Sequence, residues 1–219
     1  MIIAIDGPAG VGKSTVAKLL ASRLGYLYLD TGALYRAIAW KTLQSRVRPA
    51  DHTHVAALLP TTSIHMQFRQ GAMQVLVDGF DVTGQLRTPE VTAAASLVSA
   101  IPAVREWLLP LQRQIGQGGS VVAEGRDIGT KVFPTASFKF FLEAHPDVRV
   151  ARRHRELVAA GRGESIETTS HDLSARDQRD RTRSVDPLVP AMDARFIDTS
   201  TLSPDQVVEQ MIAAVSTEL

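Results

Sequence analysis

Ile2-Ile3-Ala4-Ile5-Asp6-Gly7-Pro8-Ala9-Gly10-Val11-Gly12-Lys13-Ser14-Thr15 is the stretch that decides the fold. Residues 2–5 are a short apolar run closed by Asp6 and a glycine-rich turn, the pattern of a buried strand. From Gly7 to Ser14 the chain fits G-x-x-x-x-G-K-[ST] at every fixed position. Beyond it, Val16, Leu19, Leu20 and Leu24 recur at helical spacing, and Gly25 is a stop signal. The motif therefore sits between a strand and a helix, which is the context its chemistry needs. Glycines let the backbone curl so that several N–H groups face phosphate oxygens. The helix N-terminus adds a partial positive charge. Lys13 can reach β- and γ-phosphates as a point charge, and the Ser14 hydroxyl can ligate Mg²⁺. A glycine-rich turn that merely caps a helix would explain the glycines, but neither the lysine nor the flanking elements. The expected ligand is ATP or GTP.

Outward from this loop the pattern is strand, helix, strand, helix. A second strand is expected at residues 26–29 and a helix at 33–43. The pattern then changes. Residues 63–68 and 73–78 alternate with a period near two and are linked by Gly71, with a third short strand at 80–82. Helical segments return at 89–99 and 102–114, each with a proline in its first turn. Apolar strands follow at 121–123, ending at Glu124, then at 138–142 and 195–198. Helices are expected at 146–160, 172–183 and 204–216. Residues 160–169, rich in Gly, Glu, Ser and Thr, read as a mobile loop, and His52 and His54 as part of a surface loop rather than a metal site. The predicted class is α/β: a P-loop NTPase core with a five-stranded parallel sheet flanked by helices, an inserted domain with a small antiparallel sheet, and a short lid. Approximate bounds are 1–35, 84–150 and 184–219 for the core, 36–100 for the insertion and 152–183 for the lid.

Composition limits the partners. Net charge is +1 across 219 residues and aromatics are 5%, which argues against a nucleic-acid surface. There is no cysteine, so disulfides and thiolate zinc sites are excluded. No basic n-region precedes a long apolar run at the start, and no run approaches the roughly 20 apolar residues of a spanning helix. A cytoplasmic protein without a membrane partner is expected.

Three further segments bear on what the nucleotide is used for. A GTPase would need N-K-x-D after a later strand, and the chain has none; Asp81-Val-Thr-Gly84 matches D-x-x-G only inside the meander. The stretch Arg176-Asp-Gln-Arg-Asp-Arg-Thr-Arg183 holds four arginines and two aspartates, with Arg176, Asp180 and Arg183 spaced to share one helix face. It reads either as a solvated helix laced with ion pairs or as an oxyanion site, since guanidinium forks match phosphate. Glu124-Gly-Arg126-Asp127 follows a strand, where the ligand crevice of an open α/β sheet lies; a self-paired charged turn is the plainer alternative. Asp30-Thr31-Gly-Ala-Leu-Tyr-Arg36 also follows a strand. A helix N-cap explains Asp30 or Thr31 but not Arg36.

Taken in order, IAIDGPAGVGKST, DTGALYR, EGRDIGT, FPTA, RDQRDRTR with PLVPA, and FIDTS resemble the bacterial cytidylate kinase family over nearly the whole chain. The loop alone is shared by many families; the ordered set is far more specific. The resemblance implies transfer of the γ-phosphoryl group of ATP to CMP or dCMP with Mg²⁺, and an acceptor domain enlarged by a small antiparallel sheet. It also implies roles for single residues. Gly7, Pro8, Ala9, Gly10, Val11, Gly12, Lys13, Ser14 and Thr15 would hold ATP, with Arg152 joining them from the lid and Ser14 on the metal. Thr31 would lie near the acceptor. Arg36 and Arg126 would bind its phosphate. Ser96, Arg105 and Asp127 would read cytosine, and Asp180 the sugar. Arg176 and Arg183 would bind phosphate, acting with Lys13 and Arg126 in catalysis. Ser96 and Arg105 carry no signal of their own apart from the resemblance.

Some positions depart from the family pattern: Ala93-Ala94-Ala95 before Ser96, Lys131 after Gly-Thr, and Asp186 before Pro187. The expected partners are ATP and CMP or dCMP, with no nucleic acid, and a monomer is expected because the lid must move independently. A kinase for UMP or dTMP, a P-loop nucleotide switch, and a nucleic-acid-associated ATPase are the other readings.

Overall fold

The computed structural model describes residues 1–69 and 72–216; Gly71, the expected link between the meander strands, lies outside the described residues. In chain order the first elements are β1 (Ile2–Asp6), α1 (Lys13–Leu24), β2 (Leu27–Asp30), α2 (Thr31–Gln44), α3 (His52–Leu58), β3 (Ile64–Arg69), β4 (Ala72–Val77) and β5 (Phe80–Asp81). They are followed by α4 (Pro89–Val98), α5 (Pro102–Gly116), β6 (Val121–Gly125), β7 (Phe138–Glu143), α6 (Pro146–Ala159), α7 (Ile166–Thr182), β8 (Arg195–Asp198) and α8 (Pro204–Ser216). Two compact units result, one of Met1–Leu29 with Ile115–Leu219, the other of Asp30–Gln114.

The first unit holds a five-stranded parallel sheet in the order β2-β6-β1-β7-β8. Its central strand β1 is covered on both faces, which is why Ile3, Ala4 and Ile5 form an unbroken apolar run. Ile3, Ile5, Phe140 and Leu142 pack with Val16, Ala17 and Leu20 of α1 and with Val207, Val208 and Met211 of α8. Register carries this core to the chemistry. Asp6 of β1 stands opposite Gly125 of β6, so the loop after β1 and the loop after β6 leave the sheet side by side.

In the second unit β3, β4 and β5 form the antiparallel meander, with Met66 opposite Val75 and Val77 opposite Phe80. Helix α2 packs on α4 and β4. The expected insertion at 36–100 falls inside this unit, which extends further at both ends. Among the described residues no single helix is long and apolar enough to cross a membrane.

Three local expectations are corrected. His52 and His54 lie on the short helix α3, not a loop: Asp51 caps it, accepting from the His54 backbone N–H at 3.1 Å while His54 Nδ1 sits 2.8 Å from the other oxygen. The segment 160–169 is only partly a loop, because Ser165 caps α7 by accepting from the Thr168 N–H at 3.1 Å and starts the helix at Ile166. Arg183 does not share a helix face with Arg176 and Asp180. It is the residue where α7 ends, with extended backbone at φ −60°, ψ 144°. A proline four residues on and the Leu188 N–H returning to the Asp180 carbonyl at 2.7 Å stop the helix there.

Candidate active site

The loop between β1 and α1 is shaped by its surroundings. Gly7 has φ 149°, and a Cβ there would stand 2.3 Å from the Leu142 carbonyl oxygen, so no side chain fits. Gly12 precedes α1 in a left-handed conformation, and no side chain caps the helix start. The first-turn amides are thus left for an anionic ligand, which suits phosphate. Lys13 is buried, and its Nζ donates to the Pro8 carbonyl at 2.6 Å. Burial, and then the neighbouring Arg126 and Arg176, lower its pKa to about 7 against the pull of Glu124 and Asp180. Phosphates arriving beside it would relieve that crowding of positive charge.

Beside the loop a pocket of about 420 Å³ is lined by Gly10, Gly12, Thr15, Arg152, Thr199 and Pro204, among others. Arg152 does not join the charged cluster at the strand ends. Its Nη1 donates to Thr199 Oγ1 at 3.0 Å and its Nη2 to the Thr199 carbonyl at 2.6 Å. Thr199 in turn donates to the Val11 carbonyl at 3.0 Å. The size and the fixed guanidinium plane suit a nucleoside.

The β6 end supplies the next layer. The buried Asp6 carboxylate accepts from the Ile128 and Gly129 N–H groups, each at 2.8 Å, and pins the start of a π-helical turn over Ile128–Val132. Burial raises its pKa to about 6 despite those two bonds. Arg126 donates from Nε to Asp180 Oδ2 at 2.7 Å, and Arg183 Nη2 lies 3.3 Å from Asp127 Oδ1. Burial would raise the Asp180 carboxyl, but Arg126, Arg176 and Arg183 together hold it below its ordinary value. Lys13, Arg126, Asp127, Arg176, Asp180 and Arg183 therefore form one cluster over the ends of β1 and β6.

Thr31, Arg36, Ser96 and Arg105 lie in the other unit. Thr31 opens α2 under the Asp30 cap, whose Oδ1 accepts from the Ala33 N–H at 3.1 Å. Arg36 donates to Asp30 Oδ2 at 2.6 Å, and Arg87 donates to the same oxygen at 2.9 Å. Burial opposes ionisation of Asp30, and the two arginines outweigh it. The buried Arg36 Nε has no hydrogen-bond partner, a donor suited to an acceptor phosphate. Ser96 is buried on α4. Arg105 is 3% exposed; its Nη1 donates to the Ser99 carbonyl at 3.2 Å and its guanidinium carbon stands 5.4 Å from the Tyr35 ring centroid.

Sequence reasoning missed Arg87, Tyr35, Arg149, Asp177 and Thr199. Arg87 lies in no regular element and carries no periodic signal. Asp177 looked like one more acid in an ion-paired helix, yet it is 4% exposed while its neighbour Gln178 is exposed. Its spacing of four from Leu173 is the clue that could have turned it inward.

Comparison with known proteins agrees with this picture. The family model described as cytidylate kinase matches residues 3–217. A cytidylate kinase of Pelotomaculum thermopropionicum is 48% identical over 98% of this chain and 95% of its own length. One from Desulfitobacterium hafniense is 45% identical over 96% and 90%. Among solved structures, a gluconokinase from Sinorhizobium meliloti superposes with a TM-score of 0.50 at 14% identity, covering 98% of this chain and 91% of its own. An uncharacterized protein from Eubacterium ventriosum gives 0.55 at 14%, covering 99% and 98%; at such identities the likeness is of fold. A family match along nearly the whole length, on a chain whose loop and strand-end cations suit nucleotide phosphates, means that this chain belongs to the cytidylate kinase family and is an ATP-dependent nucleoside monophosphate kinase.

Proposed function

We propose that the chain transfers the γ-phosphoryl group of ATP to CMP or dCMP, giving ADP and CDP or dCDP, by in-line displacement without a covalent intermediate. The observation that carries this reading is the cluster of Lys13, Arg126, Arg176 and Arg183 over the ends of β1 and β6. Phosphoryl transfer asks for positioning and charge neutralisation more than for a protein nucleophile. Four cations, two of them held by the carboxylates of Asp180 and Asp127, supply both. The donor's phosphates lie along Gly7–Ser14 with Thr15 at the rim, and its base enters the pocket beside Arg152.

Ser14 stands in the first turn of α1, directly after the donor loop, and its hydroxyl is a hard oxygen donor of the kind Mg²⁺ takes. Bound Mg²⁺, held through Ser14, supplies charge neutralisation on the donor phosphates.

The Asp30–Gln114 unit binds the acceptor: Arg36 takes its phosphate, and Thr31, Ser96 and Arg105 its base. Asp127 adds to base reading, Asp180 takes the sugar, and Arg126, Arg176 and Arg183 the phosphate. Within the lid of about residues 152–183, the turn between α6 and α7 is the part that closes and excludes water, since Asp177 and Asp180 are tied to the donor loop and to Arg126. The protein acts as a cytoplasmic monomer on small molecules, and its net charge of +1 supports that choice over nucleic acid.

A coupled ADP-release assay with ATP and Mg²⁺ tests this, with CMP, dCMP, UMP, AMP, GMP and dTMP offered separately. Turnover with CMP and dCMP, lost in Arg105→Ala and Arg183→Ala, is expected. Activity confined to UMP or dTMP would overturn the cytosine assignment. A folded protein that binds ATP but turns over none of the six would overturn the acceptor chemistry as a whole.

A further inference from the structure

One residue of the donor loop, Ala9, is bracketed by a buried ion pair that phosphate chemistry does not require. The Ala9 N–H donates to Asp177 Oδ1 at 3.2 Å, and the Ala9 carbonyl accepts from Arg149 Nη1 at 3.1 Å. The same Arg149 Nη1 bonds Asp177 Oδ2. Both residues are buried, at 8% and 4% exposure. Arg149 belongs to α6 and Asp177 to α7, so the two helices of one hairpin hold the two consecutive peptide groups that flank the Ala9 Cα. The fit is close on the backbone side as well. A Cβ on Gly10 would stand 3.0 Å from the Arg149 carbonyl oxygen and 3.1 Å from its Cβ. One turn along α6, Arg152 reaches the Val11 carbonyl through Thr199.

We infer that Asp177 and Arg149 are positioning residues: they fix the curvature of the donor loop from the α6–α7 hairpin, so that the amides after Ala9 face the ATP phosphates. The inference rests on the reading of ATP as donor given above. The Ala9 amide is committed to the protein, and the amides from Gly10 to Ser14 are those left for the ligand. A buried pair of this kind adds little net stability over an apolar replacement of similar volume, while loss of one partner alone strands a charge. Its value here lies in geometry, since a small misplacement of binding groups costs large factors in rate.

The test uses the full-length double variant Arg149→Met/Asp177→Leu, which removes both charges together. Thermal melting reads its fold, and calorimetry reads ATP and CMP binding separately. The expected result is a cooperatively folded protein with a melting temperature lowered by about 10 °C or less, because the Ala9 N–H and carbonyl lose their partners, with ATP binding weakened at least tenfold and CMP binding within twofold. Unchanged ATP binding, or equal losses for ATP and CMP, would overturn the inference. Should the double variant not fold, amide hydrogen exchange on the wild-type protein decides. Without nucleotide, the Ala9 amide is expected to exchange at least a hundredfold more slowly than that of Gly12, and ATP is expected to slow Gly12 but barely change Ala9. An Ala9 amide as fast as Gly12 would overturn the bracket. A wild type that binds no ATP would instead remove the donor reading itself.

Discussion

Arg126 and Asp180 are joined by a 2.7 Å bond from Nε to Oδ2, with Asp180 buried and the arginine side chain 16% exposed. That bond ties the loop after β6 to the inner side of α7, and it sets the ionisation of both groups. Burial disfavours the Asp180 charge, but Arg126, Arg176 and Arg183 outweigh it and leave the carboxyl below its usual range. Asp180→Ala is therefore expected to take from Arg126 its bonded carboxylate, leaving Glu124 and Asp177 nearby, and to cost about 3 kcal/mol, or about 10 °C in melting temperature for a chain of this size.

The same pair has a pH signature. A carboxyl whose folded pKa is depressed contributes stability that is fully present above the unfolded value of 3.8 and is lost as pH falls toward the folded value. The difference in stability between wild type and Asp180→Asn should be constant from pH 5 upward and shrink below pH 4. A difference that does not change on acidification would mean the arginines do not hold the carboxyl.

Lys13 gives the opposite sign. Its folded pKa of about 7 lies below the ordinary 10.5, so the charged form is penalised in the folded protein. That penalty is full below pH 7 and fades as pH rises toward 10.5. Lys13→Met should raise the melting temperature near pH 6–7, with the gain shrinking toward pH 10, while abolishing turnover. ATP binding restores a favourable environment for the charge, so it should take up protons near pH 7–8. Calorimetry in buffers of differing ionisation enthalpy measures that uptake, and Lys13→Met should lose it.

Much of this site was legible in the residues. The donor loop could be read because three constraints converge on one stretch: an apolar strand, fixed glycines and a helix whose start must remain uncapped. The parallel core followed from apolar runs such as Ile3-Ala4-Ile5 that only a two-sided sheet explains. Long-range partnerships were not legible. Nothing local says that Asp177 reaches Ala9 across 168 residues, or that Arg87 meets Asp30 across 57. Boundaries failed where a single cap decided them, as Ser165 did for α7.

The two glycines at the ends of the donor loop should respond differently to alanine. At Gly7 a Cβ meets the Leu142 carbonyl oxygen at 2.3 Å, and that oxygen belongs to a core strand that cannot move aside. Gly7→Ala is expected to cost more than about 3 kcal/mol and to leave little folded protein. At Gly12 a Cβ meets nothing within 4 Å, and only the left-handed backbone at φ 92° opposes it, at about 1–2 kcal/mol. Gly12→Ala should therefore stay folded and lose ATP affinity, because the new methyl group stands at the start of α1. Equal melting temperatures for the two variants would contradict this division.

Tyr35 offers a way to separate base reading from phosphate binding. Its ring lies 5.4 Å from the Arg105 guanidinium, and Arg105 also donates to the Ser99 carbonyl. A desolvated cation–π contact is worth about 0.5–2 kcal/mol, which corresponds to roughly a 2- to 30-fold effect on binding. If Arg105 reads the cytosine edge, Tyr35→Leu should raise KM for CMP within that range and leave KM for ATP unchanged, because neither residue belongs to the donor loop. Tyr35→Phe keeps the ring and should recover most of the loss. A leucine variant with full CMP affinity would mean that the ring does not orient the arginine. A phenylalanine variant as weak as leucine would move the cause from the ring to the hydroxyl.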